Sequence, residues 1–243
     1  MCQSCDDPSH QPSFERRNFL KLAGAATLGF IFANRAEAAS ATVPKPNNVL
    51  TPNEALARLL SGNKRYVNGV MKRHNFEAER PDLVLGQNPF AGILSCADSR
   101  IAPEYAFDTG RGDLFVCRVA GNFANKDSIA SFEYGVAVLG VPLIMVLGHQ
   151  SCGAVDSTIK AVKDGATFPG HIPSLINALR PAVVAAEHEQ GDLLVNATRI
   201  NVVRSVQTLK TATPILDAAC KSGKLKVVGA VYNLASGKVD LVA

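Results

Sequence analysis

The chain has 243 residues, enough for one ordinary domain or at most two small ones. Hydrophobic residues make up 47% of it and charged residues 19%, which excludes a disordered or collagen-like chain. The net charge of +4 is small and spread along the chain, so charge gives no reason to expect nucleic acid as a partner. Six cysteines are too few for a disulfide scaffold in a chain of this length.

The first 38 residues have the pattern of an export signal. Arg16 and Arg17 precede an apolar run over residues 22–33, and an Ala-Glu-Ala motif ends at Ala38. This order is typical of a cleavable secretory signal, and the paired arginines before Phe-Leu-Lys resemble the twin-arginine (Tat) type. The apolar run is too short to span a bilayer, which takes about 20 residues. We therefore predict export by the Tat machinery to the periplasm, with no stable membrane insertion.

Cleavage after Ala38 would remove Cys2 and Cys5, whose C-x-x-C spacing has no second half-site beside it. Four cysteines remain in the mature chain: Cys96, Cys117, Cys152 and Cys220. Because the twin-arginine route carries folded proteins, a thiolate metal site would be loaded in the reducing cytosol before the chain meets an oxidising compartment. The export signal and a cysteine-based metal site are therefore compatible.

The mature chain is predicted to have an extended arm, residues 39–50, followed by one domain, residues 51–243. Thr51, Pro52 and Glu54 form the pattern of a capping box, so a helix is predicted to begin there and end near Gly69. Further helices are predicted at residues 80–86, 128–139, 154–162, 173–189 and 193–209. Short apolar runs predict strands at 90–95, 114–119, 142–147, 226–232 and 238–242. Apolar strands that alternate with helices predict an α/β fold with a mostly parallel sheet covered on both faces.

Reactive side chains directly follow two of the predicted strands. Cys96, Asp98 and Arg100 come after the first strand, and His149 and Cys152 come after the third. Ligands of open parallel sheets bind beyond the carboxyl ends of the strands, so these residues would meet if the two strands are neighbours. Two thiolates and one imidazole suit Zn²⁺, one ion per chain, and leave a fourth position for water or another group.

Asp98 is the candidate for a fourth ligand in a closed state of the site. Arg100, two residues further on, offers a bidentate partner that would hold the carboxylate away from the metal. Taken singly, the cysteines and the histidine are more often ordinary core residues. Their combination with Asp-x-Arg favours a metal site. The stretch from Gly148 to Gly153 has the wrong spacing for the nucleophile elbow of a serine hydrolase.

The C-x-D-S-R motif that begins at Cys96 and the H-x-x-C motif that begins at His149 resemble the signature of β-class carbonic anhydrases. The resemblance implies zinc bound by Cys96, His149 and Cys152, and a zinc-bound hydroxide oriented by the Asp98–Arg100 dyad. The implied reaction is that of a zinc lyase, the reversible hydration of carbon dioxide to bicarbonate and a proton. The implied fold is a four-stranded, mostly parallel sheet with an added edge strand and flanking helices, paired as a homodimer or a dimer-based higher oligomer.

Further positions resemble the plant-like branch of that family. Gln87 matches a glutamine that donates a hydrogen bond to substrate, and Phe115 and Tyr134 match aromatic residues that line the pocket, partly across the dimer interface. The backbone N–H of Gly153 is expected to steady the substrate oxygens. The other branch has a tryptophan just before the zinc cysteine. This chain has no tryptophan and carries Ile93 there, so an open site with water on zinc is expected.

Two departures from the family pattern leave the pocket shape and the route of proton transfer open. The common R-N-x-G-N motif reads R-V-A-G-N at residues 118–122, and Val138 replaces a histidine that relays protons in some plant members. Two other functions also stay open: a carbonyl sulfide or carbon disulfide hydrolase of the same fold, and a non-catalytic zinc-binding assembly protein. The Asp98–Arg100 pair argues against the assembly protein, since a purely structural site has no use for it.

Overall fold

A computed structural model describes residues 49–243. The predicted signal, residues 39–48 of the predicted arm, and Cys2 with Cys5 lie outside the described residues. The helices are α1 (Pro52–Val67), α2 (Arg80–Leu85), α3 (Pro103–Ala106), α4 (Lys126–Ala137), α5 (Gly153–Lys163), α6 (Ile172–Ala186), α7 (Leu193–Lys210) and α8 (Ile215–Lys221). The strands are β1 (Ala91–Ser95), β2 (Leu114–Arg118), β3 (Leu143–His149), β4 (Lys226–Tyr232) and β5 (Val239–Leu241). Over residues 49–243, no helix is both long and apolar enough to cross a membrane.

The strands form one sheet in the order β2-β1-β3-β4-β5. Strands β1 to β4 run parallel to one another, and β5 runs antiparallel to β4 at the edge. The predicted α/β fold, with four parallel strands and an added edge strand, is confirmed. The chain passes from β1 to β2 on one side and then crosses to β3 on the other side of β1. This reversal creates the kind of crevice, beyond the carboxyl ends of β1 and β3, in which open α/β sheets bind ligands.

Both faces of the sheet are covered, which explains why its central strands are continuous apolar runs. Every residue of β1 and β3 is buried. On one face, Ile93 packs in a cluster with residues of α1 and α3, and on the other face Leu94 packs with residues of α4, α7 and α8. Packing on both faces holds β1 in one register, so the residues that follow it have a fixed starting point.

The third strand is longer than predicted and includes His149. Gly148 and His149 continue the parallel pairing with Val231 and Tyr232 of β4, so the strand does not end at residue 147. The absence of a side chain at Gly148 allows α7 to pass close by, since a Cβ there would lie 2.7 Å from Cγ2 of Val202. The prediction that His149 follows the strand is therefore wrong by two residues, and the histidine is held by the sheet itself.

The helix starts show where local sequence signals work and where they fail. The capping box of α1 is present, with Glu54 accepting from the Thr51 amide at 2.7 Å and Thr51 accepting from the Glu54 amide at 3.3 Å. The fourth helix begins two residues earlier than predicted because Asn125 caps it by accepting from the Ser128 amide at 2.8 Å. The short helices α3 and α8 were not predicted, because four and seven residues carry too little periodicity.

Candidate metal centre

The two cysteines and the histidine meet at the carboxyl ends of β1 and β3. Cys96 follows Ser95, whose strand partner is Leu147, two residues before His149. The candidate ligand atoms of Cys96, His149 and Cys152 lie within 4.8 Å of one another, and all three residues are buried. The two Sγ atoms are 4.0 Å apart. Two sulfurs at about 2.3 Å from a tetrahedral zinc ion lie about 3.8 Å apart, so this spacing fits Zn²⁺.

The orientation of His149 leaves one ring nitrogen for a metal. Its Nδ1 lies 2.8 Å from the carbonyl oxygen of Gln150, which only accepts, so Nδ1 carries the proton and donates it. Nε2 is buried and has no hydrogen-bond partner. A buried nitrogen without a partner costs free energy, and metal-binding histidines commonly donate their other N–H in this way. The donor set therefore fits Zn²⁺ at Nε2 and the two sulfurs.

The two thiols affect each other's ionisation. The hydrogen bond from Cys152 lowers the pKa of the Cys96 thiol, and contacts from His149 and the Gly121 amide act in the same direction. The same hydrogen bond to Cys96, together with burial, raises the pKa of Cys152. The pair therefore accepts one negative charge readily and a second one only beside a cation. A divalent ion at this position supplies that cation, because coordination deprotonates a thiol.

Asp98 and Arg100 form a bidentate ion pair next to the ligands. Nε and Nη2 of Arg100 donate to the two carboxylate oxygens of Asp98 at 2.9 and 2.7 Å, and the Arg100 amide donates at 2.9 Å. Arg100 also donates to the carbonyl of Ser151 at 3.1 Å, which ties the pair to the segment between His149 and Cys152. Oδ2 of Asp98 lies 3.7 Å from Nε2 of His149. The carboxylate thus lies beside the metal position while Arg100 engages both of its oxygens.

Arg118, which stands out in the sequence only as part of the R-V-A-G-N motif, supports the first ligand segment. Its Nε donates to the Cys96 carbonyl at 2.9 Å, and its Nη2 donates to the carbonyls of Asp98 and Ile101 at 2.7 and 3.0 Å. In the same R-V-A-G-N stretch, the Gly121 amide donates to Sγ of Cys96 at 3.3 Å. This stretch therefore holds both the backbone and the sulfur of the first ligand segment.

Known proteins are similar to this chain in sequence and fold. Residues 91–239 match the family model described as "Carbonic anhydrase". Carbonic anhydrase 2 of Mycobacterium tuberculosis is 36% identical over 191 residues, which cover 78% of this chain and 92% of that protein. The carbonic anhydrase of Mycolicibacterium smegmatis is 34% identical over 197 residues, which cover 81% of this chain and 95% of that protein. The relatives that match over most of the chain thus carry the name of an enzyme.

Solved structures decide the class. The β-carbonic anhydrase CcaA superposes with a TM-score of 0.59 at 28% identity, covering 78% of this chain and 92% of that one. The β-carbonic anhydrase of Coccomyxa, in complex with acetazolamide, superposes with a TM-score of 0.58 at 27% identity, covering 77% and 86%. The chain belongs to the β-carbonic anhydrase family. Membership confirms the family that the C-x-D-S-R and H-x-x-C motifs resemble.

Three predicted pocket residues of this β-carbonic anhydrase lie away from the metal position of their own chain. Gln87 is exposed and precedes β1, whereas Cys96 follows it, so the whole strand, at about 3.3 Å per residue, separates them. Phe115 pairs with Gly92 near the start of β1, and its ring centroid lies 6.3 Å from that of Tyr134, which is 50% exposed. Within one chain, the structure brings Phe115 and Tyr134 to each other and not to the metal ligands.

Gly153, the remaining predicted substrate residue, does lie at the centre. It follows Cys152 directly and is the first residue of α5. Apart from its chain neighbours and the backbone of its own helix, no atom lies within 4 Å of the point where a Cβ would be, so there is open space beside it. Amides in the first turn of a helix have no partner within the helix and favour oxygen atoms that carry negative charge. This position therefore suits the predicted contact with a substrate oxygen.

The Asp98–Arg100 pair predicts how the stability of this β-carbonic anhydrase depends on pH. The hydrogen bonds from Arg100 hold the pKa of the Asp98 carboxyl well below its usual range. Such a carboxyl stabilises the fold above its unfolded-state pKa, and this contribution is lost as the pH falls through that value toward the folded-state pKa. We expect Asp98→Asn to lower the free energy of unfolding by more above about pH 5 than below about pH 4.

Urea unfolding of the metal-free protein at a series of pH values measures this difference. The effect should be small because the Arg100 side chain is 52% exposed and solvent screens the pair. Asp156→Asn is the matched control, since Asp156 pairs with Lys160 at 2.8 Å on the exposed surface of α5. A difference between wild type and Asp98→Asn that stays the same from about pH 6 down to about pH 3 would contradict a lowered pKa of Asp98.

Proposed function

We propose that the protein catalyses the reversible hydration of carbon dioxide to bicarbonate and a proton, with one Zn²⁺ per chain. The observation that carries the proposal is the convergence of Cys96, His149 and Cys152 beside the Asp98–Arg100 pair, in a chain of this family. Cys96, His149 and Cys152 would hold the zinc, which would supply the acidification of water that yields a nucleophile near neutral pH.

The residues around the metal position divide the remaining tasks. Arg100 lowers the pKa of Asp98, so this carboxylate stays ionised. Its Oδ2, which lies beside Nε2 of His149, would accept a hydrogen bond from a water at the metal position. Arg100 keeps that carboxylate from becoming a fourth ligand and so keeps the site open. The Gly153 amide steadies an oxygen of the substrate. Behind the ligands, the two cysteines pack with apolar residues that exclude water from the sulfurs: Val155, Leu179, Val183, Ala186 and Ala197.

We also propose that two copies of the chain pair as a homodimer or as part of a dimer-based higher oligomer. Gln87, Phe115 and Tyr134 match pocket residues of the plant-like branch, yet they lie away from the ligands of their own chain. Tyr134 is half exposed on α4, next to the free edge of β2. A partner at this edge would cover the aromatic pair and give these three residues the role that the plant-like pattern assigns to them.

The test uses the full chain, because the proposal also includes Tat export to the periplasm and cleavage of residues 1–38. The exported protein is expected to begin at Ala39, to elute as a dimer or a multiple of it, and to contain one zinc per chain. Stopped-flow mixing with carbon dioxide should then show hydration that is fast with zinc, lost after chelation and restored when zinc is added back.

Carbonyl sulfide and carbon disulfide serve as the comparison substrates in the same assay. Turnover of these gases without hydration of carbon dioxide would replace the proposal with the hydrolase alternative. No acceleration with any of the three, at full zinc occupancy, would leave a non-catalytic zinc protein.

A further inference from the structure

One buried polar side chain behind the metal position has no part in the proposed chemistry. Asn201 lies in the middle of α7 and is 4% exposed. Its Nδ2 donates to the carbonyl of Gly121 at 2.7 Å. Gly121 in turn donates its amide to Sγ of Cys96 at 3.3 Å. Asn201 is therefore two hydrogen bonds away from a candidate metal ligand.

Gly121 has a backbone conformation that depends on its being glycine. Its φ of +84° lies in the left-handed region, which glycine adopts without steric cost. A Cβ at this position would lie 2.7 Å from Cδ1 of Leu179, so a larger residue there would displace the Leu179 side chain. Because the amide and the carbonyl of Gly121 flank one Cα, a partner that holds the carbonyl also limits how the amide turns. Asn201 is that partner.

We propose that Asn201 is a positioning residue for the metal centre. By holding Gly121, it keeps the Gly121 amide on Sγ of Cys96 and withdraws part of the negative charge of that thiolate. Hydrogen bonds to metal ligands orient them and tune how strongly they donate to the ion. The effect matters here because two anionic thiolates lie in an apolar cluster that offers them little other solvation. The inference rests on the proposed zinc site and not on the reaction.

The same helix offers a matched control. Ser205 lies one turn further along α7 and is also 4% exposed. Its Oγ accepts a hydrogen bond from the amide of Ala124 at 3.3 Å. Ala124 and Gly121 both lie in the loop between β2 and α4, so Ser205 ties the same loop to the same helix. The Ser205 bond ends at Ala124 and does not continue to Cys96. Ser205→Ala therefore reports the effect of loosening the loop alone.

The experiment measures the metal centre in the purified full-length protein and its variants. Chelator competition should show zinc binding about 10-fold weaker in Asn201→Ala and Asn201→Leu, and changed by less than about twofold in Ser205→Ala. Leucine fills the space that alanine leaves, so agreement between the two Asn201 variants excludes a cavity effect. With Co²⁺ in place of zinc, the sulfur-to-cobalt charge-transfer band should move to lower energy in both Asn201 variants and stay in place in Ser205→Ala.

Unchanged zinc affinity and an unchanged band in the Asn201 variants would overturn the proposal, as would equal changes in Ser205→Ala. Wild-type protein loaded with ¹¹³Cd gives a test that needs no variant to fold. The Gly121 amide proton should show scalar coupling to the cadmium nucleus through Sγ of Cys96, and its absence would also overturn the proposal. Failure of the proposed function gives a different result. If the protein passes these tests but does not hydrate carbon dioxide, the proposed reaction is wrong and the role of Asn201 stands.

Discussion

Replacing Cys152 by serine is expected to remove zinc and carbon dioxide hydration together. Cys152 is 1% exposed, and its sulfur lies 4.0 Å from that of Cys96. The C–O bond of serine is shorter than the C–S bond of cysteine, and the serine hydroxyl stays neutral near pH 7. The variant would therefore keep only one anionic ligand, Cys96, and one imidazole, His149. The loss in zinc affinity should exceed about 100-fold, the upper end for losing an outer partner of a ligand. Activity should fall in proportion to the zinc that remains.

Zinc content per chain and the hydration rate, measured on the same preparation, check this prediction. Cys220→Ser is the matched control, because Cys220 lies in α8, away from the metal ligands, and burial raises the pKa of its thiol. This variant should keep both zinc and activity. In the wild type, Cys96 and Cys152 should resist alkylation until the zinc is removed. If Cys152→Ser retained one zinc per chain, the ligand assignment would be wrong.

The ligands of the metal centre were predictable because their signal is chemical and local. Cys96 and His149 each come at or directly after an apolar strand, and thiolate and imidazole groups are uncommon enough to stand out there. That they meet depends on β1 and β3 being neighbours, which sequence periodicity does not reveal. The sheet order confirms it. The predicted end of β3 falls two residues short because the apolar run stops at Leu147, whereas Gly148 continues the strand and allows close packing of α7 against it.

The supporting contacts were not predictable, because most of them end on the backbone. The carbonyls of Gln150 and Ser151 orient His149 and Arg100, and every residue in the chain has a carbonyl. Asn201 lies 52 residues from His149 on an ordinary helix, and only the fold brings it to Gly121. The predicted hydrogen bond from Gln87 to substrate stays a prediction.

Replacing Arg100 by leucine is expected to give the opposite result to Cys152→Ser: zinc remains bound while activity is lost. Leucine removes the two side-chain donors that engage the carboxylate of Asp98. Oδ2 of Asp98 lies only 3.7 Å from Nε2 of His149, so a small movement of the released carboxylate brings it to the fourth metal position. A carboxylate there completes a closed four-ligand site, which holds zinc at least as tightly and leaves no place for a water.

The hydration rate of Arg100→Leu should fall by about 100-fold or more, the range for losing a positioned proton acceptor, while zinc affinity stays equal or rises. Arg199→Leu is the matched control, since Arg199 pairs with Glu189 on the surface and both side chains are 40% exposed. Wild-type activity in Arg100→Leu would show that Asp98 needs no partner to stay off the metal. Loss of zinc would show that the dyad supports the ligands instead of keeping the fourth position open. Comparison of Arg100→Leu with Cys152→Ser therefore distinguishes two roles: Cys152 binds the ion, and Arg100 keeps the ion accessible to substrate.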